Sequence, residues 1–220
     1  MLSLRLKTIE ELVETDKIVA DIGTDHALLP VELVKSGKIK KAYAVDNKSG
    51  PYLRAQQYIQ LSGCEGSIEA MLTDGLTNVP DEANCWIIAG MGYDTASMIL
   101  DQRNDVNIGQ QLIVQVNHGV NNMRKYLMNN KWQIIDERIV FDVHYYQIIK
   151  AVKTKFMFRL KPQDIEFGPL LRKEKNTVFT AYWHLQIQKL QKIVDQIDHN
   201  SKRSLQLQKQ IHSIKTMLNG

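Results

Sequence analysis

Short apolar runs alternate with amphipathic stretches along the first 150 residues of the chain. The apolar runs predict five strands, at residues 17–23, 41–46, 67–75, 85–92 and 111–116. The amphipathic stretches predict helices near residues 28–36, 51–62, 94–103 and 121–130. Strands that alternate with helices are typical of a parallel, doubly wound sheet. Two further runs, at 132–140 and 145–153, predict an antiparallel pair at one edge of that sheet, so the expected fold class is α/β.

The pattern changes after Pro162. Residues 175–197 and 203–218 favour helix, and the short polar segment between them offers Asn200 or Ser201 as the N-cap of the second helix. Apolar positions at helical spacing form one face of each stretch, namely Leu190, Ile193, Val194 and Ile197, and then Leu207, Ile211, Ile214 and Leu218. This pattern predicts an antiparallel helical hairpin, and its alternative is a pair of helices packed on the main sheet.

Charge divides the chain at nearly the same place. Residues 1–149 carry 14 Lys or Arg and 19 Asp or Glu, a net charge of −5, whereas residues 150–220 carry 14 and 5, a net charge of +9. A basic segment on an acidic body is typical of nucleic-acid binding, although a solvated basic helix without a partner has the same composition. We therefore expect two domains, residues 1–155 and a basic helical domain at residues 156–220.

Composition excludes several classes of protein. Hydrophobic residues make up 44% and charged residues 24% of the chain, as in ordinary globular proteins and unlike disordered ones. No apolar run approaches the roughly 18 residues that span a membrane, and the N-terminus lacks the apolar core of a signal peptide. Cys64 and Cys85 have no paired spacing, which disfavours a disulfide framework and a cysteine zinc site. We expect a cytoplasmic protein with no membrane segment and no metal.

Carboxylates end three of the predicted strands. Asp21 ends the first, Asp46 ends the second, and Asp74 with Gly75 ends the third. Each has an ordinary alternative when taken alone, because strand ends are often solvated and Asp-Gly is a common turn. Ligands of open α/β sheets bind at the carboxyl ends of the strands. The three acids in this order therefore predict a site for S-adenosylmethionine, with its amino acid portion at the first loop, its ribose at Asp46 and its adenine at Asp74.

The loop after the first strand supports the same cofactor. It holds one glycine, Gly23, instead of the three of a G-x-G-x-x-G phosphate loop, and it adds a second carboxylate, Asp25, whose alternative role is to cap the next helix. Two carboxylates repel a pyrophosphate and attract an ammonium and a sulfonium, which disfavours an NAD-dependent oxidoreductase. The predicted cofactor-binding residues are Asp21, Gly23, Thr24, Asp25, His26, Asp46, Asp74, Gly75 and Gly90.

The ends of the fourth and fifth strands are candidates for the chemistry itself. Gly90 allows close approach of the backbone, and the carbonyls of Gly90 and Met91 can accept hydrogen bonds from the amine of a base, although a tight turn explains the same residues. Gln115 and Asn117 bring amides to the same edge after the fifth strand. His118 is interpreted as a surface histidine.

Several motifs along nearly the whole chain resemble those of the bacterial tRNA (adenine-N1)-methyltransferases that act on adenine 22. The matching segments are Ser3–Leu6, Asp21–Pro30, Gly50-Pro51, Asp74–Leu76, Ile88–Gly92, Gly168-Pro169 and Lys173–Asn176. The resemblance implies a Rossmann-like seven-stranded methyltransferase sheet with a C-terminal antiparallel coiled-coil hairpin, S-adenosylmethionine as donor and tRNA as substrate. The chain departs from the family at Tyr93, where the family has glycine, and at Val116, where it has proline.

The implied reaction transfers a methyl group to N1 of adenine. N1 attacks with its own lone pair, so placement in line with the methyl group supplies much of the rate. The base becomes cationic, and carboxylates or carbonyls near its amine offset that charge. The expected catalytic residues are therefore Asp25, Asn117, Gly90 and Met91, and the expected substrate-binding residues are Arg5, Tyr93, Lys189, Lys192, Lys202 and Arg203.

Other functions fit parts of the sequence. A methyltransferase acting on another RNA position or on a small molecule has the same donor site, and a non-catalytic RNA-binding module has the same basic segment. The helical hairpin also suits a protein partner or dimerisation. A small-molecule methyltransferase leaves the basic segment without a role, and a non-catalytic RNA-binding module leaves the acidic strand ends without one. We expect a monomer that binds tRNA.

Overall fold

The computed structural model describes residues 2–103, 105–198 and 201–220. The strands are β1 (Ile18–Ile22), β2 (Lys41–Asp46), β3 (Ile68–Leu72), β4 (Cys85–Met91), β5 (Gln111–Val116), β6 (Trp132–Asp142) and β7 (His144–Lys153). The helices are α1 (Leu4–Leu12), α2 (Leu28–Lys35), α3 (Ser49–Leu61), α4 (Tyr93–Asp101), α5 (Val120–Asn129), α6 (Pro162–Phe167), α7 (Leu171–Glu174), α8 (Thr177–Val194) and α9 (Lys202–Asn219).

Within the described residues, seven strands form one sheet in the order β3-β2-β1-β4-β5-β7-β6. Strands β1 to β5 pair in parallel, and β7 lies antiparallel between β5 and β6. The predicted α/β fold and the antiparallel edge pair are confirmed. The strand order reverses between β1 and β4, which is the position where ligands of such sheets bind.

Two apolar layers cover the sheet. Tyr43, Trp86 and Leu112 belong to one layer, and Ile87 and Ile113 belong to the other. All residues of β5 are buried, as the continuous apolar run predicts for a strand covered on both faces. Burial on both faces fixes the positions of the loops at the carboxyl edge, where the predicted site residues lie.

Helix α1 was not predicted from the sequence. Ser3 caps it by accepting a hydrogen bond from the backbone N–H of Leu6, and the helix buries Thr8, Ile9 and Leu12. It packs against β6 and β7. This packing places Arg5, near the start of the helix, at the carboxyl edge of the sheet.

The C-terminal helices α8 and α9 pack against each other, so the predicted helical hairpin is confirmed. Ser201 caps α9, as predicted, whereas Asn200 lies outside the described residues. Val194 and Ile214 are buried at the predicted seam, whereas Ile193 is 36% exposed, so the buried face of α8 is narrower than the sequence pattern predicts. Phe179, Trp183 and Phe167 form an apolar cluster at the base of the hairpin.

A buried ion pair connects the sheet domain to the segment that leads into the hairpin. Nε of Arg124 donates to Oε1 of Glu137 at 2.8 Å, and Nη2 of Arg124 donates to Oε1 of Gln147 at 2.6 Å. The other oxygen of Glu137 accepts from the backbone N–H of Leu170 at 2.8 Å. Gly168 adopts φ +89°, and a Cβ there would lie 2.8 Å from Arg124 and Glu137. We call Arg124, Glu137, Gln147, Gly168 and Leu170 the buried joint.

Candidate active site

A cavity of about 370 Å³ lies at the carboxyl edge of β1, β2, β3 and β4, next to the reversal of strand order. This volume lies within the range of about 300–1,000 Å³ that is usual for small-molecule sites. Among its lining residues are the predicted Gly23, Asp46, Asp74, Gly75 and Met91. The sheet therefore brings residues from four separate loops to one cavity.

Asp46 and Asp74 both line this cavity. Oδ1 of Asp46 accepts from the backbone N–H of Lys48 at 2.8 Å, and Oδ1 of Asp74 accepts from Nδ2 of Asn47 at 3.2 Å. Each carboxylate accepts at about four positions, so both keep acceptor capacity for hydroxyl or amine donors of a ligand. β3 ends at Leu72, so Asp74 and Gly75 lie in the loop after it instead of ending the strand.

Gly23 shapes the first loop. Its φ is +73°, and a side chain at this position would collide with the methyl group of Met91. The backbone N–H groups of Gly23 and Thr24 donate to the carbonyl of Val45 at 2.8 and 2.9 Å, which ties the loop to the end of β2. Glycine is therefore favoured by the backbone conformation, and a Cβ at this position would also displace the flexible end of the Met91 side chain.

Asp25 does not cap the next helix. The N-cap of α2 is Ala27, which makes no side-chain cap hydrogen bond, and the Asp25 side chain is 82% exposed. His26 and Ala27 both adopt left-handed conformations, with φ of +57° and +54°. Nε2 of His26 lies 3.5 Å from Oδ1 of Asp25. The alternative role of Asp25 is thereby removed, and its carboxylate is available at the mouth of the site.

Asp21 is the buried acid of the site. It is 8% exposed, and its Oδ2 accepts from Oγ1 of Thr24 at 2.7 Å. Burial raises the pKa of Asp21 to about 6, even though the Thr24 hydrogen bond and the positive charge of Arg5 act to lower it. Asp21, Arg5 and Asp25 line a small cavity of about 40 Å³ beside the first loop. A carboxylate whose ionisation is opposed by burial favours a cationic ligand beside it.

A buried glutamine connects α1 with the ends of β4 and β5. Gln115 is fully buried, and its Oε1 accepts from Nη1 of Arg5 at 2.8 Å and from the backbone N–H of Gly90 at 3.0 Å. Its Nε2 donates to Oδ1 of Asn117 at 3.1 Å. Because a guanidinium and a backbone N–H can only donate, they fix which end of the Gln115 amide is the oxygen. Asn117 must therefore accept from Gln115.

The orientation of Asn117 follows from that hydrogen bond. Nδ2 of Asn117 donates to the carbonyl of Gly90 at 2.7 Å, and its backbone N–H donates to the carbonyl of Met91 at 2.7 Å. Gly90 has φ +81° and lies at a bulge in the pairing of β4 with β5. Both predicted acceptor carbonyls therefore already accept one hydrogen bond within the protein, and each has a second lone pair.

The predicted substrate-binding residues occupy two separate regions. Tyr93 begins α4 at the carboxyl edge and packs partly into the core. Arg5 lies at the same edge, where its Nη1 binds Gln115 and its Cζ lies 5.4 Å from the ring centroid of Tyr146. The exposed cations at the far end of the hairpin are Lys189, Lys192, Lys202 and Arg203. None of these four residues lines the cavity or the small cavity beside the first loop, so the structure does not bring the hairpin cations to the site.

Helix α4 contributes cavity residues that sequence reasoning missed. Thr95, Met98, Ile99 and Gln102 line the cavity, and Oε1 of Gln102 accepts from the backbone N–H of Leu76 at 2.6 Å. Met98 is 69% exposed. In the sequence, the apolar Met98 on the helix after β4 was the one feature that could have predicted this wall of the cavity.

The described residues offer no group of three or more His, Cys, Asp or Glu side chains that could hold a metal. Cys64 and Cys85 are free thiols in the core, and burial raises the pKa of Cys85 to about 12. No helix among the described residues has the length and apolar character needed to cross a membrane.

Comparison with known proteins gives consistent matches. Residues 19–216 match the family model described as tRNA (adenine(22)-N(1))-methyltransferase. The Bacillus subtilis (strain 168) protein of that same name is 34% identical over 203 residues, which cover 89% of this chain and 85% of the relative.

Two solved structures resemble the whole chain. M. capricolum TrmK, in complex with the cofactor product S-adenosyl-homocysteine, has a TM-score of 0.87 at 31% identity and covers 100% of this chain and 98% of its own. A Streptococcus pneumoniae protein in complex with S-adenosyl-L-methionine has a TM-score of 0.87 at 30% identity and covers 99% of this chain and 100% of its own. Both alignments include the sheet and the C-terminal helices.

Proposed function

This chain belongs to the tRNA (adenine(22)-N(1))-methyltransferase family, and we propose that it transfers a methyl group from S-adenosylmethionine to N1 of adenine 22 in tRNA. The observation that supports this function best is the cavity at the reversal of strand order, which Asp46 and Asp74 line, with Asp21 in the small neighbouring cavity; Gly23 lines both. These are the acids that a donor with an ammonium, a ribose and an adenine needs.

The residues present fit this donor. Buried Asp21 suits the ammonium group, Asp46 the ribose hydroxyls, and Asp74 the exocyclic amine of the adenine. Gly23 leaves the space that a Cβ would fill against Met91, and Met98 and Ile99 provide an apolar wall. Thr24 binds Asp21 by a hydrogen bond within the first loop, and the absence of a side chain at Gly75 leaves room for Gln102.

The donor, when bound, supplies an electrophilic methyl group on a sulfonium. The protein has to place adenine N1 in line with that methyl group, and no proton is removed from N1 beforehand. The remaining lone pairs of the Gly90 and Met91 carbonyls and of Asn117 Oδ1 can accept from the amine of the base. Asp25, exposed at the mouth, is the carboxylate that offsets the positive charge of the methylated ring.

The same function uses the hairpin. We assign donor binding and catalysis to residues 1–155 and tRNA backbone contacts to residues 156–220, with Arg5 and Tyr93 contacting the RNA near the target base. N1 attack needs no Lewis acid, so we propose a metal-free reaction by a monomer in the cytoplasm, where its tRNA substrate is present.

The test is methyl transfer from labelled S-adenosylmethionine to an unmodified tRNA transcript, followed by nucleoside analysis. We expect 1-methyladenosine, and we expect the product to disappear when adenine 22 is replaced by guanine. A transcript that stays unmethylated while the protein binds the donor contradicts the substrate and leaves another RNA position or a small molecule as the target.

Donor affinity should depend on pH through Asp21. In the free protein the pKa of Asp21 is about 6, whereas the bound ammonium requires the carboxylate. The dissociation constant should therefore be constant above about pH 7 and rise toward tenfold per pH unit below pH 6. Calorimetric titration of the donor between pH 5 and pH 8 measures this dependence.

Asp21→Asn is the control for that titration. It should bind the donor weakly at every pH, with the rise below pH 6 removed. Because the folded pKa lies above the ordinary value of 3.8, the ionised Asp21 reduces stability as the pH rises through about 4 to 6. Asp21→Asn should therefore melt no lower than wild type at pH 7.5, and a pH-independent wild-type affinity contradicts the assignment of Asp21.

Reversing the hairpin charges should weaken tRNA binding. We expect glutamate at the four hairpin cations to reduce tRNA affinity about 100-fold near 0.15 M salt and to flatten its salt dependence, because fewer phosphate counterions are released. Filter binding at several salt concentrations measures both effects. The changed residues are Lys189, Lys192, Lys202 and Arg203.

A matched control reverses the same number of charges on the sheet domain. The control residues, all exposed, are Lys35, Lys40, Lys125 and Lys131. The control variant should lose much less tRNA affinity, and donor affinity should be unchanged in both variants. Full tRNA affinity in the hairpin variant contradicts the RNA role and favours a protein partner or dimerisation for these helices.

A further inference from the structure

The turn between β6 and β7 has an unusual backbone. We call residues 141–144 the β6–β7 tip. Val143 adopts φ +64°, a left-handed conformation that β-branched residues rarely take, and its side chain is 79% exposed. Phe141 beside it is 53% exposed. In an exposed turn, Gly or Asn would adopt this left-handed conformation without strain. Neither packing nor backbone preference therefore explains why a valine occupies position 143.

The β6–β7 tip projects from the carboxyl edge of the sheet, where the candidate active site lies. β7 runs antiparallel to β5, with Ile148 opposite Gln115, and its first residue is His144. At about 3.3 Å per residue, the tip reaches about 13 Å beyond Gln115. The backbone N–H of Arg5 donates to Oδ2 of Asp142 in the tip at 3.1 Å, and the same arginine binds Gln115. The tip is therefore held in place by a residue of the site.

Aromatic side chains continue from the tip to the helical hairpin. The rings of Phe141 and Tyr145 lie 4.8 Å apart, and those of Tyr145 and Tyr182 lie 5.2 Å apart. His144 and Tyr146 form a second pair at 6.4 Å. Such a surface stacks well on nucleobases, which present an aromatic face whatever their identity.

We propose that the β6–β7 tip is an RNA wedge: Phe141 and Val143 enter the base stack next to the target adenine and fill the space that it leaves. This inference rests on the proposed function. N1 lies on the edge of adenine that pairs with another base, so methylation requires the adenine to leave its stack. Inserted apolar side chains separate stacked bases in other nucleic-acid complexes, and the tip carries such side chains at the edge where the adenine must arrive.

The first test uses Val143→Gly, which removes the side chain and its strain together. We expect its melting temperature to be equal to or above that of wild type, because glycine adopts positive φ freely. We expect kcat/KM for the tRNA transcript to fall about tenfold, because an inserted apolar side chain offsets part of the cost of unstacking the bases, with unchanged donor affinity. Phe141→Ala should lower kcat/KM by a similar factor. A residue with only a structural role would not combine higher stability with lower activity.

The second test uses the substrate. A transcript with an abasic nucleotide opposite adenine 22 frees the adenine from its pairing partner, so extrusion costs less. In single-turnover assays on this transcript, the methyl-transfer rates of both tip variants should lie within about threefold of the wild-type rate. Wild-type rates for the tip variants on the intact transcript overturn the wedge, and so does an equal defect on both transcripts, which would indicate ordinary RNA or protein contact.

Two matched controls lie at the opposite edge of the sheet. Asp16→Gly relieves a comparable φ of +59°, and Leu61→Ala removes an apolar side chain that is 78% exposed. Both should leave kcat/KM for tRNA unchanged. Wild-type protein that methylates no tRNA contradicts the proposed function itself, whereas wild-type methylation with fully active tip variants contradicts the wedge alone.

Discussion

Replacement of Gln115 by leucine is expected to lower kcat for methyl transfer about 100-fold, while donor affinity stays within about threefold of wild type. The fully buried amide of Gln115 orients Asn117 and the backbone of Gly90, and leucine leaves both without their hydrogen-bond partner. Misplacement of these groups affects the arrangement of the target base more than the binding of the donor. Single-turnover transfer and calorimetric donor titration measure the two quantities separately.

Gln111→Leu provides a matched control for this variant. Gln111 lies on the same strand, is 6% exposed, and donates from Nε2 to Glu14 at the opposite edge of the sheet. Its replacement should affect stability and leave kcat near that of wild type. Equal kcat values for the two variants would show that Gln115 acts only through packing, and full activity of Gln115→Leu would remove it from the site.

Glu137→Leu is expected to lower the free energy of unfolding by about 3–5 kcal/mol, which is the usual cost of leaving one member of a buried ion pair without its partner. Arg124 would keep its charge in a position that is fully buried, and the backbone N–H of Leu170 would lose its acceptor. Urea denaturation measures the change. Protease sensitivity between residues 155 and 177 should rise as well, because the buried joint holds this segment to the sheet domain.

A second substitution distinguishes charge from packing. Adding Arg124→Met to Glu137→Leu removes the unpaired charge and should recover part of the lost stability. Lys40→Met, which disrupts an exposed pair with Asp16 at 3.7 Å, should change the stability by less than about 1 kcal/mol. A double variant that is less stable than Glu137→Leu alone would contradict the electrostatic explanation of the buried joint.

The sheet was predictable because each strand carries its own signal. β5 is almost wholly apolar and buried along its length, and Asp46 and Asp74 lie at or just after the ends of strands that the alternation of strands and helices predicts. Local periodicity and turn chemistry decide these features, so a single sequence contains them.

The network around Gln115 was not predictable in the same way. Its members come from residues 5, 90, 115 and 117, and the first of them lies on a helix that the sequence pattern did not reveal. α1 is stabilised by distant contacts with β6 and β7. Arg5 was expected to bind the RNA substrate, and the structure shows its guanidinium bound to the Gln115 amide. Its role toward RNA, like the other assigned site roles, stays a prediction.

The buried joint has a consequence for substrate choice under the proposed function. A fixed connection between sheet and hairpin sets one distance between the hairpin cations and the cavity, so the protein acts as a molecular ruler. A ruler selects a nucleotide by its spacing from a distant stretch of sugar-phosphate backbone, whatever the sequence between them. Transcripts that differ in sequence but share the same tertiary shape should therefore be methylated alike, and a transcript with one inserted base pair between the two contact points should not.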